Sequence, residues 1–275
     1  MIAVSEQSTA YVFGGTQTEL ERLLAKVDEL KARARWFLDN LDIRSGSRVV
    51  DIGCGPMGIL NLLSDRVGPH GEVIGVEREA RFVETARREL TRRGLNNVKV
   101  IQADALKTGL EKNSFDLVHE RLVLINVPER EALLAEMLSL LRPGGTLAVE
   151  DNDNVSWLCH PEHPSWTILR DAFFAAFHAN GGDLFVGRRL PGLLRAVGVE
   201  DVQVKVHVDA VRPGSHRRTH LFSLLDSLRD KIIALGLLSE QELAFHTEAL
   251  RGHLENSDTV IIDKLHVQAW GRKAR

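Results

Sequence analysis

Cysteine is almost absent from this sequence, since Cys54 and Cys159 are the only two in 275 residues. Two cysteines cannot build a disulfide framework, and such sparse use is typical of proteins from a reducing compartment. No apolar run approaches the length of a membrane span, and the apolar stretch at the N-terminus is too short for a signal peptide. We therefore expect a cytoplasmic protein without a membrane partner.

A large excess of charge of one sign is also missing. The chain has 35 Lys and Arg residues against 38 Asp and Glu residues, a formal net charge of −3. Nucleic-acid-binding domains commonly carry a basic excess, so we expect no nucleic-acid partner. The local basic cluster at 212–220 is the best argument for an RNA acceptor, but no aromatic residues interleave with it. We expect its side chains to be exposed at the start of a helix.

The sequence does contain a regular alternation of strand and helix patterns after Gly46. Short apolar runs such as RVVDIG and EVIGVE alternate with amphipathic segments such as RFVETARRELTRRG. This alternation predicts an α/β fold whose parallel sheet is covered by helices on both faces. The last two predicted strands, VQVKVHVDAV and DTVIIDKLHVQAWGRK, are joined by a long helical segment, which favours an antiparallel final pair.

The same patterns divide the chain into four parts. Residues 1–46 hold an N-terminal flap and a long amphipathic helix, and residues 47–151 hold the ligand-binding core. Residues 152–187 are rich in bulky aromatics and predict a helical lid insertion. Residues 188–275 complete the sheet and contain a second helical insertion at 212–256. We expect the two insertions to sit together above the sheet as a lid.

The stretch VVDIGCGPMGILNLL carries three glycines between a predicted strand and a predicted helix. Gly53, Gly55 and Gly58 match the G-x-G-x-x-G pattern of dinucleotide-binding loops, and Glu77 follows nineteen residues later. However, Asp51 stands two residues before the first glycine. A carboxylate at that point would repel a pyrophosphate and attract an ammonium group. The loop therefore favours a ligand other than a nicotinamide dinucleotide.

A second acid narrows the choice of ligand. Asp104 closes the third predicted strand in IQADA, where a carboxylate is able to meet an adenine amino group. An adenosine that carries an amino acid satisfies both Asp51 and Asp104. We therefore expect S-adenosylmethionine as the cofactor and S-adenosylhomocysteine as its product.

Five motifs in order now resemble those of class I S-adenosylmethionine-dependent methyltransferases: VVDIGCGPMG, GVERE, IQADA, FDLVHERLVLINV and LLRPGGTLAVED. The resemblance is detailed over residues 47–151, and YVFGGTQTELERL is similar to bacterial small-molecule tailoring enzymes of this family. It implies an α/β, Rossmann-like seven-stranded sheet, mostly parallel with an antiparallel last strand, with helices on both faces and helical lid insertions. It also implies methylation of carbon, nitrogen or oxygen on a small hydrophobic or aromatic metabolite.

The resemblance also implies roles for individual residues. Asp51 would contact the ammonium group of the cofactor, Glu77 would accept both ribose hydroxyls, and Asp104 would accept the adenine amino group. Met57 stands where the family usually has a third glycine, so we expect it to touch the ligand. The implied cofactor-binding set is Asp51, Gly53, Cys54, Gly55, Met57, Glu77, Arg78, Asp104, Ala105, Glu120 and Arg121.

Methyl transfer from a sulfonium is an in-line displacement, so a base is needed only if the acceptor must lose a proton. Ligands of open parallel sheets bind at the carboxyl ends of the strands. The candidate bases at the ends of the fourth and fifth strands are His119, Glu150 and Asp151. The candidate acceptor-binding residues, taken from the same edge, the first insertion and the N-terminal flap, are Tyr11, Phe13, Asn126, Asp153, Trp157, His160 and Phe174.

Other interpretations stay open at this point. CHPEHP, at residues 159–164, contains potential metal ligands, but no matching second pair follows, so we expect a turn and no metal. Methyl transfer to RNA or protein is one alternative function, and binding of S-adenosylmethionine without turnover is another. A homo-oligomer formed through the N-terminal helix or the lid helices is a further prediction.

Overall fold

The structure, a computed structural model, describes residues 17–275, apart from the side chains of residues 17, 18, 25–29 and 216. Across this range the chain alternates strands and helices along its length. The helices are α1 (Gln17–Asn40), α2 (Leu60–Val67), α3 (Ala80–Arg93), α4 (Arg130–Leu140), α5 (Pro164–His178), α6 (Leu190–Ala196), α7 (His220–Ser227), α8 (Arg229–Ala234) and α9 (Glu240–Glu255). The strands are β1 (Arg48–Ile52), β2 (Glu72–Glu77), β3 (Val98–Gln102), β4 (Phe115–Arg121), β5 (Leu141–Asp153), β6 (Leu158–His160), β7 (Val199–His207), β8 (Ala210–Val211), β9 (Val260–Ile262) and β10 (Leu265–Lys273).

Seven of these strands form one sheet in the order β3-β2-β1-β4-β5-β10-β7. The first five are parallel neighbours, whereas β10 is antiparallel to both β5 and β7. The prediction of a mostly parallel, seven-stranded sheet with an antiparallel last strand is therefore confirmed. The order reverses between β1 and β4, so the carboxyl ends of these two strands open a crevice at the edge where such sheets bind ligands.

Strand alternation gives the sheet two separate apolar faces. In β1, Val49 packs with α1, α2 and α3 on one face, while Val50 and Ile52 pack with α4 and α5 on the other. Asp51 follows Val49 in this alternation and so belongs to the α1 face. In β4, Val118 packs with α5. Since side chains alternate along a strand, Glu120 lies on the same α5 face and His119 lies on the α1 face.

The region above the sheet differs from the prediction of simple insertions. The segment predicted as one last strand divides into β9 and β10, and VQVKVHVDAV divides into β7 and β8. β9 pairs with β6 and β8 in a second, three-stranded antiparallel sheet. The physical reason is a junction at which Arg217 forms ion pairs with both Asp209 and Asp263, just where the two chain segments leave the large sheet. Short-range patterns carry no information about such a junction.

The second predicted insertion, at 212–256, forms the three helices α7, α8 and α9. The Ser239 hydroxyl accepts a hydrogen bond from the Glu242 N–H at 3.2 Å, and the Glu242 carboxylate accepts one from the Ser239 N–H at 2.8 Å. These two hydrogen bonds form a capping box, which starts α9. Among the helices described, none is long and apolar enough to cross a membrane.

Candidate functional site

The loop between β1 and α2 adopts backbone conformations that glycine alone adopts readily. Gly53 has a φ of +68°, and a Cβ atom there would lie 2.4 Å from a methyl carbon of Val123. Gly58 has a φ of +48°, and a Cβ atom there would lie 2.5 Å from the carbonyl oxygen of Cys54. Both positions therefore require glycine. The displaced third glycine of the motif is needed by the loop itself.

Strand β2 fixes this loop from the side. The N–H groups of Gly53 and Cys54 both donate to the carbonyl oxygen of Val76, at 2.8 and 3.0 Å. The N–H of Gly55 donates to Oε2 of Glu77 at 2.9 Å. The glycine loop and the acid at the end of β2 are thus joined directly.

Glu77 is a buried carboxylate held by backbone donors. Its Oε1 accepts the N–H groups of Arg78 and Glu79, at 2.7 and 2.8 Å, and only 9% of the residue is exposed. Burial raises the pKa of Glu77, and the three backbone N–H groups act against that rise. Three of the roughly four lone-pair sites of the carboxylate are thus occupied, which leaves one, at Oε2, that is able to accept a hydroxyl.

Asp51 begins a buried chain of hydrogen bonds on the α1 face of the sheet. Nδ1 of His119 lies 2.7 Å from Oδ1 of Asp51, and Nε2 of His119 lies 3.0 Å from Oε1 of Glu150. Burial alone lowers the pKa of His119, but the hydrogen bonds and charges of the two carboxylates overcome it and raise the pKa to about 9. His119 is therefore an imidazolium at neutral pH and has no free site to accept a proton.

The chain continues onto β10 through residues that the sequence analysis missed. Oε2 of Glu150 accepts a hydrogen bond from Nε2 of Gln268 at 2.5 Å and lies 3.0 Å from Nε2 of His266. Burial raises the pKa of Glu150, yet its bonds to His119 and His266 hold that pKa well below the ordinary value. The sequence signal for this extension is the pair of polar residues, His266 and Gln268, at alternate positions of the apolar run LHVQAW. Polar side chains in a buried strand need hydrogen-bond partners, so they indicate a buried polar network.

Two more acids lie on the opposite face of the sheet. Glu120 is fully buried, and its Oε2 accepts the N–H of Val123 at 2.9 Å. Burial raises the pKa of Glu120 well above its ordinary value, and the charge of Asp151 adds to this. Asp151 accepts the N–H of Ile125 at 2.9 Å. Both acids therefore accept backbone N–H groups of the loop after β4 and stabilise its conformation.

A cavity opens above the carboxyl ends of β1, β2, β4 and β5, between the sheet and the lid helices. The residues named in the sequence analysis that line it are Asp51, Gly53, Cys54, Gly55, Glu77, Arg78, Asp104, Ala105, His119, Arg121 and Asn126. Asp104 is exposed at its rim, and its Oδ1 accepts the N–H of Leu106 at 2.8 Å. The acids expected to meet the ammonium, ribose and adenine groups thus face one cavity.

Other predicted site residues do not line this cavity. They are Met57, Glu120, Glu150, Asp151, Asp153, Trp157, His160 and Phe174. The structure therefore gives no support to the predicted bases Glu150 and Asp151, whose side chains are fully buried and hydrogen-bonded within the sheet. Tyr11 and Phe13 lie outside the described residues, so the flap stays a prediction.

The reasons for these displacements are local. Met57 is 1% exposed and packs into the apolar cluster that contains Leu60 and Leu63 of α2. Asp153 forms an ion pair with Arg188, with Nη2 of Arg188 2.6 Å from Oδ1. Trp157 is buried against Trp166. His160 is exposed.

The lid contributes a different set of side chains from those predicted. Phe173 and Phe177 of α5 line the cavity, whereas the predicted Phe174 stacks outside it on Trp157, with ring centroids 6.5 Å apart. The remaining residues of the two insertions at the cavity are Asn152, Asn154, Leu184, His220 and Leu224; Lys264 lies between β9 and β10, and α1 adds Arg22, Leu23 and Leu30. The strand ends thus contribute acids to the cavity, whereas the lid contributes mostly apolar side chains together with a few polar ones.

The two other motifs have structural roles. In CHPEHP, His163 caps α5 by accepting the N–H of Ser165 at 3.2 Å, and among the described residues no group of three or more potential ligands is able to hold a metal ion. In the basic cluster, Arg218 is buried rather than exposed. Its guanidinium donates to the carbonyls of Leu254, Thr259 and Asn256 at 2.8–2.9 Å and so closes the end of α9.

The order of the sheet and the acid-lined crevice at its edge are those of a protein that binds a nucleoside-containing ligand. Comparison with known proteins points to a methyltransferase. Residues 43–177 match the family model described as a methyltransferase domain. The chain is 27% identical over 177 residues to demethylmenaquinone methyltransferase of Listeria monocytogenes serotype 4a, which covers 63% of this chain and 72% of that relative.

Solved structures share the fold. A putative methyltransferase from Bacillus halodurans superposes with a TM-score of 0.58 at 13% identity, over 88% of this chain and 98% of that one. Phosphoethanolamine N-methyltransferase 2 from Haemonchus contortus, solved with S-adenosylhomocysteine, superposes with a TM-score of 0.55 at 16% identity, over 96% of this chain. This chain spans only 56% of the nematode chain. Residues 43–177 thus form a methyltransferase domain, the fold is that of class I S-adenosylmethionine-dependent methyltransferases, and S-adenosylmethionine is the methyl donor.

Proposed function

We propose that this enzyme transfers the methyl group of S-adenosylmethionine to a small, apolar, aromatic acceptor. The observation that carries the proposal is one cavity that is lined both by the acids at the strand ends and by apolar lid side chains, Phe173, Phe177, Leu184 and Leu224. Pockets of this kind, with apolar walls and a few placed polar groups, are typical of small-molecule sites. Demethylmenaquinone, for which the Listeria relative is named, is an acceptor of this apolar class.

The acidic part accounts for the cofactor. Asp51 would attract the ammonium group, Glu77 would accept a ribose hydroxyl through Oε2, and Asp104 would accept the adenine amino group beside Ala105. Arg121 would lie near the methionine carboxylate. These roles fit the cavity because each of the four side chains lines it and the three acids stand at the ends of successive strands.

The chemistry that this chain supplies is alignment and exclusion of water. The methyl donor is already activated by the positive charge of its sulfonium. The walls of the cavity would therefore act by holding the nucleophilic atom of the acceptor in line with the methyl group and by excluding water. His119 is a cation between two carboxylates, so it is not the base. We infer that the acceptor presents an atom that is nucleophilic without deprotonation by His119, Glu150 or Asp151.

The alternative acceptors receive less support. The basic cluster was the best argument for RNA, and the interior position of Arg218 removes one of its cations from the surface. A protein that only senses S-adenosylmethionine would need no second, apolar part of the cavity. The small-molecule acceptor is therefore the function that the site supports best.

Labelled methyl transfer tests the proposal. The protein is incubated with methyl-labelled S-adenosylmethionine and a bacterial metabolite extract, and the label is followed by mass spectrometry. We expect label in a small apolar product. Phe173→Leu, which changes the cavity wall, should slow this transfer, whereas Phe174→Leu, at the next position but off the cavity, should leave it close to the wild-type rate. Label in RNA or protein would contradict the proposal, and no label despite cofactor binding would indicate a sensor.

A further inference from the structure

Two asparagines at the cavity have buried carboxamide oxygens with no partner. Oδ1 of Asn126 and Oδ1 of Asn154 accept no hydrogen bond from any residue in the described part of the chain. Both residues line the cavity, one after β4 and the other after β5. A buried acceptor without a donor lowers the stability of the protein, so two of them at one cavity need an explanation.

The orientation of each carboxamide is fixed by its other end. Nδ2 of Asn154 donates to the carbonyl oxygen of Leu184 at 2.7 Å, and Nδ2 of Asn126 donates to that of Leu122 at 2.8 Å. Exchanging the oxygen and nitrogen of either amide would set two acceptors against each other. Each Oδ1 is therefore an acceptor that requires a donor from elsewhere.

The two asparagines belong to one connected wall. Leu184, whose carbonyl also accepts the backbone N–H of Asn154 at 3.0 Å, lines the cavity itself. The N–H of Asp183 donates to the carbonyl of Ile125, next to Asn126, at 2.8 Å. The loop after β4 is thus joined to the segment before α6, and Phe173 and Phe177 stand on the same cavity.

We propose that Asn154 and Asn126 determine acceptor specificity by accepting hydrogen bonds from a donor group, a hydroxyl or an N–H, carried on the aromatic body of the acceptor. This rests on the proposed function, because it assumes that the acceptor occupies the apolar part of the cavity. A site with buried acceptors discriminates strongly against an analogue that lacks the donor, since the oxygens then stay unpaired. The acceptor class becomes a hydroxylated or amino-substituted aromatic.

The test compares two probes of nearly equal shape, 1-naphthol and 1-methylnaphthalene, which differ by a hydroxyl in place of a methyl group. Their dissociation constants are measured by titration into protein saturated with S-adenosylhomocysteine, and the ratio of the two constants is taken. We expect the preference for 1-naphthol to fall about tenfold from wild type to Asn154→Leu. The affinity for S-adenosylhomocysteine serves as the control for folding.

Asn152→Leu is the matched control variant. Asn152 also lines the cavity, but its carboxamide is already paired with Nδ1 of His266 at 3.2 Å, so the preference should stay within about twofold of wild type. Asn126→Leu, at a partly buried position, replaces Asn154→Leu if the latter does not fold. An unchanged ratio in the folded variant would overturn the inference and leave the proposed function intact. If neither probe binds while S-adenosylhomocysteine does, the apolar acceptor site itself is refuted.

Discussion

The buried charge of His119 should make the stability of the protein fall as the pH rises above neutral. Its pKa is about 9 in the folded protein and 6.5 by its ordinary value. A folded pKa above the unfolded one means that the stabilisation is complete below pH 6.5 and is lost as the pH rises through about 9. Each pKa unit corresponds to about 1.36 kcal/mol, so the total is on the order of 3 kcal/mol.

The assay is urea unfolding followed by tryptophan fluorescence at pH 6.5, 7.5, 8.5 and 9. Most of the roughly 3 kcal/mol should disappear from the free energy of unfolding over this range. Glu150→Gln removes one of the two carboxylates that hold the charge and so lowers the folded pKa of His119, so the loss of stability should be smaller and should be complete at a lower pH. His70→Gln, at an exposed position, should follow the wild type. A free energy of unfolding that stays constant from pH 6.5 to 9 in the wild type would refute this account of the Asp51–His119–Glu150 chain.

Three further predictions concern cofactor affinity and stability. Glu77→Ala should weaken binding of S-adenosylhomocysteine by on the order of 1.5–3 kcal/mol in calorimetry, and unchanged affinity in a folded variant would mean that the ribose is held elsewhere. Gly58→Ala should destabilise the protein by about 2 kcal/mol or more, because its Cβ atom would approach the Cys54 carbonyl oxygen. Gly55→Ala has open space around its Cβ atom and should destabilise the protein by only about 1 kcal/mol. Equal losses of stability in the two variants would contradict the crowding at Gly58. Arg218→Ala should cost about 3 kcal/mol in urea unfolding, since three carbonyls lose their donor, and a loss under about 1 kcal/mol would show that water replaces the guanidinium.

The parts of the site that short segments determine were predictable from the sequence. Asp51, Glu77 and Asp104 each close a strand of a parallel sheet, and parallel strands bring their carboxyl ends to one edge. Their presence at a common cavity therefore follows from the alternation of strands and helices. The order and direction of the seven strands follow from the same alternation together with the family resemblance.

The parts that depend on distant partners were not predictable. Glu150 looked like a base at a strand end, but β10, more than a hundred residues later, supplies His266 and Gln268 and makes Glu150 an interior partner. Phe173 and Phe174 are neighbours in one aromatic run, and only the packing of α5 decides that Phe173 reaches the cavity. Side-chain type is local, whereas the face that a helix presents is set by the elements it packs against.

Calorimetric titration with S-adenosylhomocysteine tests most directly whether the acid-lined cavity binds S-adenosylmethionine. S-adenosylhomocysteine and NAD are titrated in parallel into the wild-type protein. We predict one site for S-adenosylhomocysteine, no heat of binding for NAD, and about 2.7 kcal/mol of added stability at a hundredfold excess of ligand over the dissociation constant. Binding of NAD without binding of S-adenosylhomocysteine would contradict the account.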